Sequence, residues 1–535
     1  MAGCSAENMR VEFSAAEASL LERYFTNLDR PVFALRNLPE VVKGALFSRY
    51  SRTEKSLRRV LLDEFINEPD SGFDRLAGSP PADDDMVAVR RAEEFYERVL
   101  VGYGDDSVAE LAGAHVAVEQ ASTLAAKALE DSRIGISPLE KSTRYVRFDR
   151  RAPDGRYLYY RGPDLAHPEY ELAADALFDT YSRLVEPATA AIRERFPQEE
   201  GETDRAWKSA TRAKALDLLR GLLPAGTLTN LGLFGNGRAF EYLITKLAAH
   251  ELLECRVVAS ALHRELSLVI PSFVRRALDD KFGKPAAERM ARIRSATARL
   301  ASTGAPESTP PSVRLVEFDP DAERKVVAAA LYPYSNLPLE EQAGDPTVVL
   351  QTLFEDRANR RQRAPRALEH ATYTFEIVAN FAAYRDLHRH RMLTQDRQPL
   401  GTALGYDLPP GLVELGMADD FARGVEAAAA VHQRLERELG PAIAQYLVPL
   451  AFHVRWYFRA NLREVYHLCE LRTTPQGHPD YRWVAQQMFL RVQEVHPRLA
   501  SYAAFVDLGP GDELERRKSE RRIDEKLGAI DRRVR

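Results

Sequence analysis

Residues 224–238 read PAGTLTNLGLFGNGR and residues 449–463 read PLAFHVRWYFRANLR. The two segments align without a gap: Pro224 with Pro449, Asn236 with Asn461, Arg238 with Arg463, a constant offset of 225 residues. Looser pairs precede them, GALFSRYS at 44–51 with AALYPYS at 329–335, and VAEL ending at Leu111 with ALEH ending at His370. A repeat this long is a domain duplication and not a solenoid unit. A chain of 535 residues also exceeds what one hydrophobic core holds. The duplication therefore implies two related domains, each long enough to bury its own core.

The second copy carries the clearest local patterns. ATYTFEIVA alternates and is rich in β-branched and aromatic residues, which predicts a strand leading into a helix over NFAAYRDLHRH. That places Arg389, His390 and Arg391 at a helix end. FARGVEAAAAVHQRLEREL and YRWVAQQMFLRVQEVH have long helical periodicity, with AFHVRWYF as a strand between them. Asn461 followed by Glu464 has capping-box spacing and predicts that the helix LREVYHLCEL starts there. The first copy has the same order, with a long helix predicted over SVAELAGAHVAVEQASTLAAKALE. The expected domains are a first copy over 1–300, a linker over 301–312 (ASTGAPESTPPS), a second copy over 313–507 and a charged tail over 508–535. The tail, dense in mixed charge with i,i+4 pairing, reads as a solvated terminal helix or frayed end. The predicted class is α+β, two related helix-rich domains each with a small antiparallel sheet.

Composition excludes several function classes. With 45% hydrophobic and 29% charged residues the chain is neither disordered nor membrane-like. It has no run of 18 apolar residues and no apolar signal core near its N-terminus, so a cytoplasmic protein with no membrane partner is expected. Cys4, Cys255 and Cys469 lie far apart without metal-ligand spacing, so no metal site and no disulfide framework is expected. Cys255 and Cys469, on apolar helical stretches, read as buried packing residues. A net charge of −5 argues against a nucleic-acid partner. Against that acidic background, RANRRQRAPR and RDLHRHRMLTQDR concentrate positive charge, as a site for small polyanions does.

ALEHATYTFEIVANFAAYRDLHRHR resembles the strand, helix and Arg-His-Arg signature of flavin-dependent thymidylate synthases, and LVPLAFHVRWYFRANLREVYHLCELR resembles their second conserved block. LEKSTRY in the first copy resembles the Ser-x-Arg-Tyr end of the same signature. The two copies keep opposite halves of it. Arg389, His390 and Arg391 match in the second copy, where Pro399 and Gly401 replace the later Ser and Arg. Glu140, Ser142, Arg144 and Tyr145 match in the first, where Glu130, Asp131 and Ser132 fall near the Arg-His-Arg place. Downstream, Arg220 is kept in the first copy against Gln445 in the second, and Arg472 in the second against Leu247 in the first. The family's G-H-x-S-x-x-E-H block reads GYGDDSVAEL and RAPRALEH, the glutamine before its Arg-His-Arg is Asp386, and its later His is Gln476 with His478 beyond.

Family members are homotetramers with sites between subunits, so the resemblance implies a homodimer of double chains, a pseudo-tetramer with two composite sites. It implies conversion of dUMP to dTMP with methylenetetrahydrofolate and NADPH on an FAD cofactor. By the same resemblance Arg389 and Ser142 are the expected catalytic residues, and Glu140, Ser142, Arg144, Arg220, Arg389 and Arg472 the expected substrate-binding set. His390, Arg391, Asn461, Arg463, Asn236 and Arg238 are expected on the flavin. The residue types suit these ligands, since guanidinium forks and loop N–H groups take phosphate oxygens in pairs. Each residue also has a plainer reading: Arg-His-Arg as charge complementing a helix C-terminus, Asn236 and Asn461 as N-caps, Ser142 as a loop hydroxyl, and Arg220, inside the apolar LDLLRGLL, as the partner of a structural carboxylate. Two other functions stay open, a non-catalytic flavin- or nucleotide-binding protein and, against the acidic balance, a nucleic-acid-binding face.

Overall fold

The structure, a computed structural model, describes residues 13–51, 53–67, 108–302, 304 and 307–534. Cys4 and the GYGDDS part of GYGDDSVAEL lie outside the described residues. The architecture is α+β and helix-rich with two small antiparallel sheets. Strands β1 (Gly113–Ser122), β2 (Ile136–Glu140) and β3 (Leu228–Asn236) form a sheet of order β1-β3-β2. Strands β4 (Ser312–Phe318), β5 (Thr372–Asn380), β6 (Thr394–Arg397) and β7 (His453–Asn461) form the other, of order β4-β5-β7-β6.

The backbone clusters into two compact units. One comprises Met1–Glu119, Ala128–Leu139 and Asn230–Ser302, and the other Gln120–Lys127, Glu140–Thr229 and Thr303–Arg535. Residues 140–229, which the repeat assigns to the first copy, thus pack with the second copy.

The long helix predicted over 107–130 is corrected: a 3-10 turn at Val108–Glu110 is followed by strand β1 and only then by a helix, Thr123–Glu130. Inward-facing Ala114, Val116 and Val118 alternate with exposed positions, and this period of two outweighs the helix propensity of the alanines. At Gln120, whose φ is 58°, the phase of the alternation shifts, and Ala121 and Ser122 are both buried. The Ser122 hydroxyl then accepts the Ala125 N–H at 3.0 Å, as the Asn380 side chain accepts that of Ala383 at 2.8 Å. The two caps are equivalent. Nine residues beyond each, Asp131 stands in the first copy where Arg389 stands in the second.

The second repeat element behaves as predicted in both copies. β3 runs into the helix Gly237–Ala248 and β7 into Leu462–Arg472, each through an asparagine whose side chain accepts an N–H three residues on, 2.8 Å at Asn236 and 2.9 Å at Asn461. Asn236→Ala, which removes only the cap, is expected to cost about 1 kcal/mol in chemical denaturation. At the centre of the four-stranded sheet β5 and β7 set Phe375 opposite Phe458 and Ile377 opposite Trp456, all buried.

Cys255 and Cys469 are fully buried, and burial pushes both thiols above their ordinary range. The tail does form a helix, Arg517–Val534, but a docked one. Arg517 bonds Glu199 at 2.6 Å and Glu202 at 3.2 Å, and Glu520 meets Arg205 at 3.2 Å. Its charges find partners far away in sequence, which i,i+4 spacing cannot reveal. Among the described residues no helix is long and apolar enough to cross a membrane.

Candidate active site

Strand β5 ends at the Asn380 cap, and the helix Phe381–Leu387 makes only two turns before residues 388–393 bring the chain back to β6. There Thr394 pairs with Arg459, two residues before Asn461. Arg389 and His390 are thereby returned to the helix that Asn461 opens. Arg472 Nε donates to His390 Nε2 at 3.0 Å, and His390 Nδ1 lies 2.8 Å from Glu464 Oε1. Because Nε2 accepts, the ring proton sits on Nδ1 and is donated to Glu464. Burial, with Arg472 and His467 nearby, holds the imidazole well below its usual range and therefore neutral. Burial pushes the Glu464 carboxyl up to about 7, against the pull of His467, Arg463 and Arg472.

A carboxyl that titrates higher in the folded chain than in the unfolded one holds more protons when folded, so its contribution to stability is lost as pH rises. For Glu464 the loss runs from about 4.5 through about 7 and is on the order of 3 kcal/mol at most. His390 works in the opposite direction. Comparing thermal unfolding of Glu464→Gln with the unaltered protein across this range isolates the Glu464 part: the variant is expected to lose the decline.

Four arginines bear on the charge of one carboxylate, which Arg220 bonds. Arg220, 3% exposed at the end of the helix Asp204–Leu219, donates from Nη1 to Asp386 Oδ2 at 3.0 Å. Burial alone would raise Asp386, but Arg220, Arg389, Arg144 and Arg472 together hold it well below the carboxylate range. Two of the four belong to the first sequence copy and two to the second. Arg144 grips Asp217 with Nε and Nη2 at 2.8 to 3.0 Å and reaches the Tyr481 hydroxyl at 3.3 Å. Arg472 stacks over the same Tyr481 ring, 5.6 Å from its centroid. Beside them the wholly buried Glu140 carboxylate meets Arg385 at 2.6 Å, Lys127 at 3.0 Å and Arg389 at 3.6 Å. The Ser142 hydroxyl accepts the Arg144 N–H at 3.2 Å and so fixes the loop.

Arg389, His390, Arg391, Asn461, Arg463 and Arg472 share the wall of one cavity of about 440 Å³. Glu140, Ser142, Arg144 and Arg220 are not on that wall, and neither is Asp386; Glu140 meets the wall at Arg389, 3.6 Å away. Seven arginines and three glutamates line the cavity. Arg357 is bound to Glu470 through two contacts of 2.6 Å, and Arg463 to Glu369 at 2.7 Å. The surplus of guanidinium groups, spread along the helix Leu462–Arg472 and the segments facing it, is a wall that could hold a diphosphate. Asn236 and Arg238 lie in the other unit, Asn236 as a cap and Arg238 paired with Glu110 at 2.9 Å. There Leu247, at the position of Arg472, is buried in the core.

Sequence reasoning missed Asp217, Tyr481, Lys127 and Arg385. Asp217 was detectable, being the one acid in the apolar LDLLRGLL, three residues before Arg220. Tyr481 was not, because its helix presents an ordinary aromatic pattern. His478, two residues beyond exposed Gln476, is buried and caps the helix Pro479–Val495.

The model of the Thy1 family, thymidylate synthase complementing protein, matches residues 65–272 and 314–498. The chain belongs to this family. Its two matched segments make it a double-length, thymidylate synthase-like Thy1 protein. A UPF0159 protein of Chlamydia muridarum (strain MoPn / Nigg) is 44% identical over 527 residues, spanning 96% of this chain and 98% of its own. A flavin-dependent thymidylate synthase of Sulfolobus acidocaldarius is 26% identical over 200 residues, 36% of this chain and 76% of its own. The solved UMP/dUMP methylase PolB of Streptomyces cacaoi, bound with 5-Br dUMP, is 21% identical at a TM-score of 0.30, over 37% of this chain and 96% of that one.

Proposed function

We propose that this Thy1 protein converts dUMP to dTMP with methylenetetrahydrofolate and NADPH, holding FAD in the arginine-lined cavity, at a site built from both sequence copies. The observation that carries the reading is that first-copy and second-copy residues meet in one cluster: Arg220 bonds Asp386 at 3.0 Å, Arg144 and Arg472 both lie on Tyr481, and Arg389 lies 3.6 Å from Glu140. In this reading Arg389 reaches the uracil edge and stabilises the negative charge that builds on the ring as C5 becomes nucleophilic. Asp386, an acceptor, takes the ring N–H, and Arg220 and Arg472 hold it in place. The Ser142 hydroxyl and the N–H groups of its loop take the phosphate side, while Arg144 anchors that loop through Asp217. His390, Arg391, Asn461 and Arg463 hold the flavin, which when bound supplies the reducing hydride. Asn236 and Arg238 serve the same cofactor in an assembled homodimer.

One observation favours a second reading, a flavin- or nucleotide-binding protein without turnover: Asp217 and Asp386 already neutralise the two first-copy arginines. Expression in a thymidine auxotroph separates the two. Growth without thymidine, from a protein with flavin absorbance in the blue, is the expected result; a yellow protein that fails to support growth supports the second reading.

A further inference from the structure

Residues 507–516 lie beyond both segments matched by the family model, the second of which ends at 498, and the site above makes no use of them. Both ends of this segment are nonetheless fixed beside that site. At the first end the Asp507 N–H donates to the Thr473 hydroxyl at 2.9 Å. Buried Arg482 completes the anchor, donating to the Thr473 carbonyl at 2.9 Å, that of Pro510 at 3.1 Å and that of Gly509 at 3.2 Å. Thr473 caps the helix Leu462–Arg472 and is the residue after Arg472.

At the other end buried Glu515 meets Lys214 at 2.6 Å, on the helix that carries Asp217 and leads into Arg220. Arg516 follows, with its guanidinium over the Tyr145 ring, 4.8 Å from the centroid. Tyr145 is the residue after Arg144. One segment outside both sequence copies thus joins neighbours of Arg472 to neighbours of Arg144 and Arg220.

The Ser142 loop has use for such a support. Its own bonds are long, the Tyr145 N–H reaching the Ser142 carbonyl at 3.4 Å and the Val146 N–H reaching it at 3.2 Å. Arg144 fixes the loop on one side through Asp217. A partly desolvated cation on an aromatic face adds a hold on the other. Arg516 is itself kept in place by Glu520, 3.1 Å away on the docked helix, and Glu520 retains Arg205 at 3.2 Å if Arg516 is removed.

We propose that Arg516, carried by this anchored segment, is a positioning residue of the site: through Tyr145 it holds the loop of Ser142 and Arg144 in place. Presenting that loop to a nucleotide phosphate rests on the thymidylate reading; holding the loop does not.

The test uses the full chain and compares Arg516→Ala with the unaltered protein by hydrogen exchange in peptides spanning 141–146 and by calorimetric titration with dUMP. Exchange there is expected to rise about tenfold and dUMP affinity to fall about tenfold, with the thermal midpoint and the exchange of the helix Leu462–Arg472 unchanged. Arg516→Lys, which keeps a cation over the ring, is expected to restore most of both; a residue that only filled space would not be rescued by charge. Tyr145→Leu removes the ring from the loop side and is expected to match Arg516→Ala, the two together adding nothing further. Unchanged exchange at 141–146 in Arg516→Ala, unchanged dUMP affinity despite faster exchange, no recovery in Arg516→Lys, or additive effects in the double variant would each overturn the proposal. An unaltered protein that binds no dUMP defeats the thymidylate reading instead, and the exchange comparison still decides whether Arg516 holds the loop.

Discussion

Replacing Asp386 with Asn is expected to destabilise the protein by about 3–5 kcal/mol, and inorganic phosphate is expected to restore part of the loss. The amide keeps the size of the side chain and removes its charge. Arg220 is then left buried with a neutral neighbour at 3.0 Å, and Arg144, Arg389 and Arg472 lose the anion they share. Repulsion among fixed guanidinium groups adds to the cost of the unpaired buried charge. An external anion can replace the missing carboxylate, which is the behaviour expected of a site that takes a nucleotide. The measurement is the thermal midpoint of Asp386→Asn and of the unaltered protein in phosphate and in chloride at equal ionic strength. A variant as stable as the parent, or one indifferent to phosphate, would show that the arginines are held by other means.

Arg389→Ala is expected to lower thymidylate formation by about 10²–10³-fold while leaving the fold intact. The two halves of this prediction come from different features. Arg389 is the most exposed of the four arginines, its side chain 35% accessible, and Glu140 retains Arg385 and Lys127 as partners when it is removed. Stability therefore has little to lose. Arg389 lines the cavity and also acts on Asp386, so it is the cation best placed to answer charge on a bound ring. Arg389→Lys should recover only part of the rate, because a point charge does not reproduce the fork. Loss of activity with loss of folding would instead assign Arg389 a structural task.

What could be read from the residues alone follows the physics that fixes each part. The repeat, the strand and helix order of the second copy and the Asn461 cap are local patterns, and the structure has them where spacing places them. The segment 113–122 was misread as helix because its alanines favour a helix while its inward face, Ala114, Val116 and Val118, obeys a strand period. That choice is made by pairing with β3, a long-range interaction. Likewise the complementary arginines could be counted in the sequence, but not their neutralisation. Asp217 meets Arg144 across 73 residues and Asp386 meets Arg220 across 166. Asp386 was visible as a departure from the family pattern. Its task, to answer the charge of four cations from both copies, is a property of the folded unit.

The central claim is that one nucleotide site is assembled from both copies of the repeat. Calorimetric titration of the full chain with dUMP tests it most directly, in the unaltered protein and in Arg220→Gln and Arg472→Gln. One site per chain, weakened at least tenfold by the change in either copy, is the predicted result. Two sites per chain, or a site that responds to Arg472→Gln and is untouched by Arg220→Gln, would contradict it.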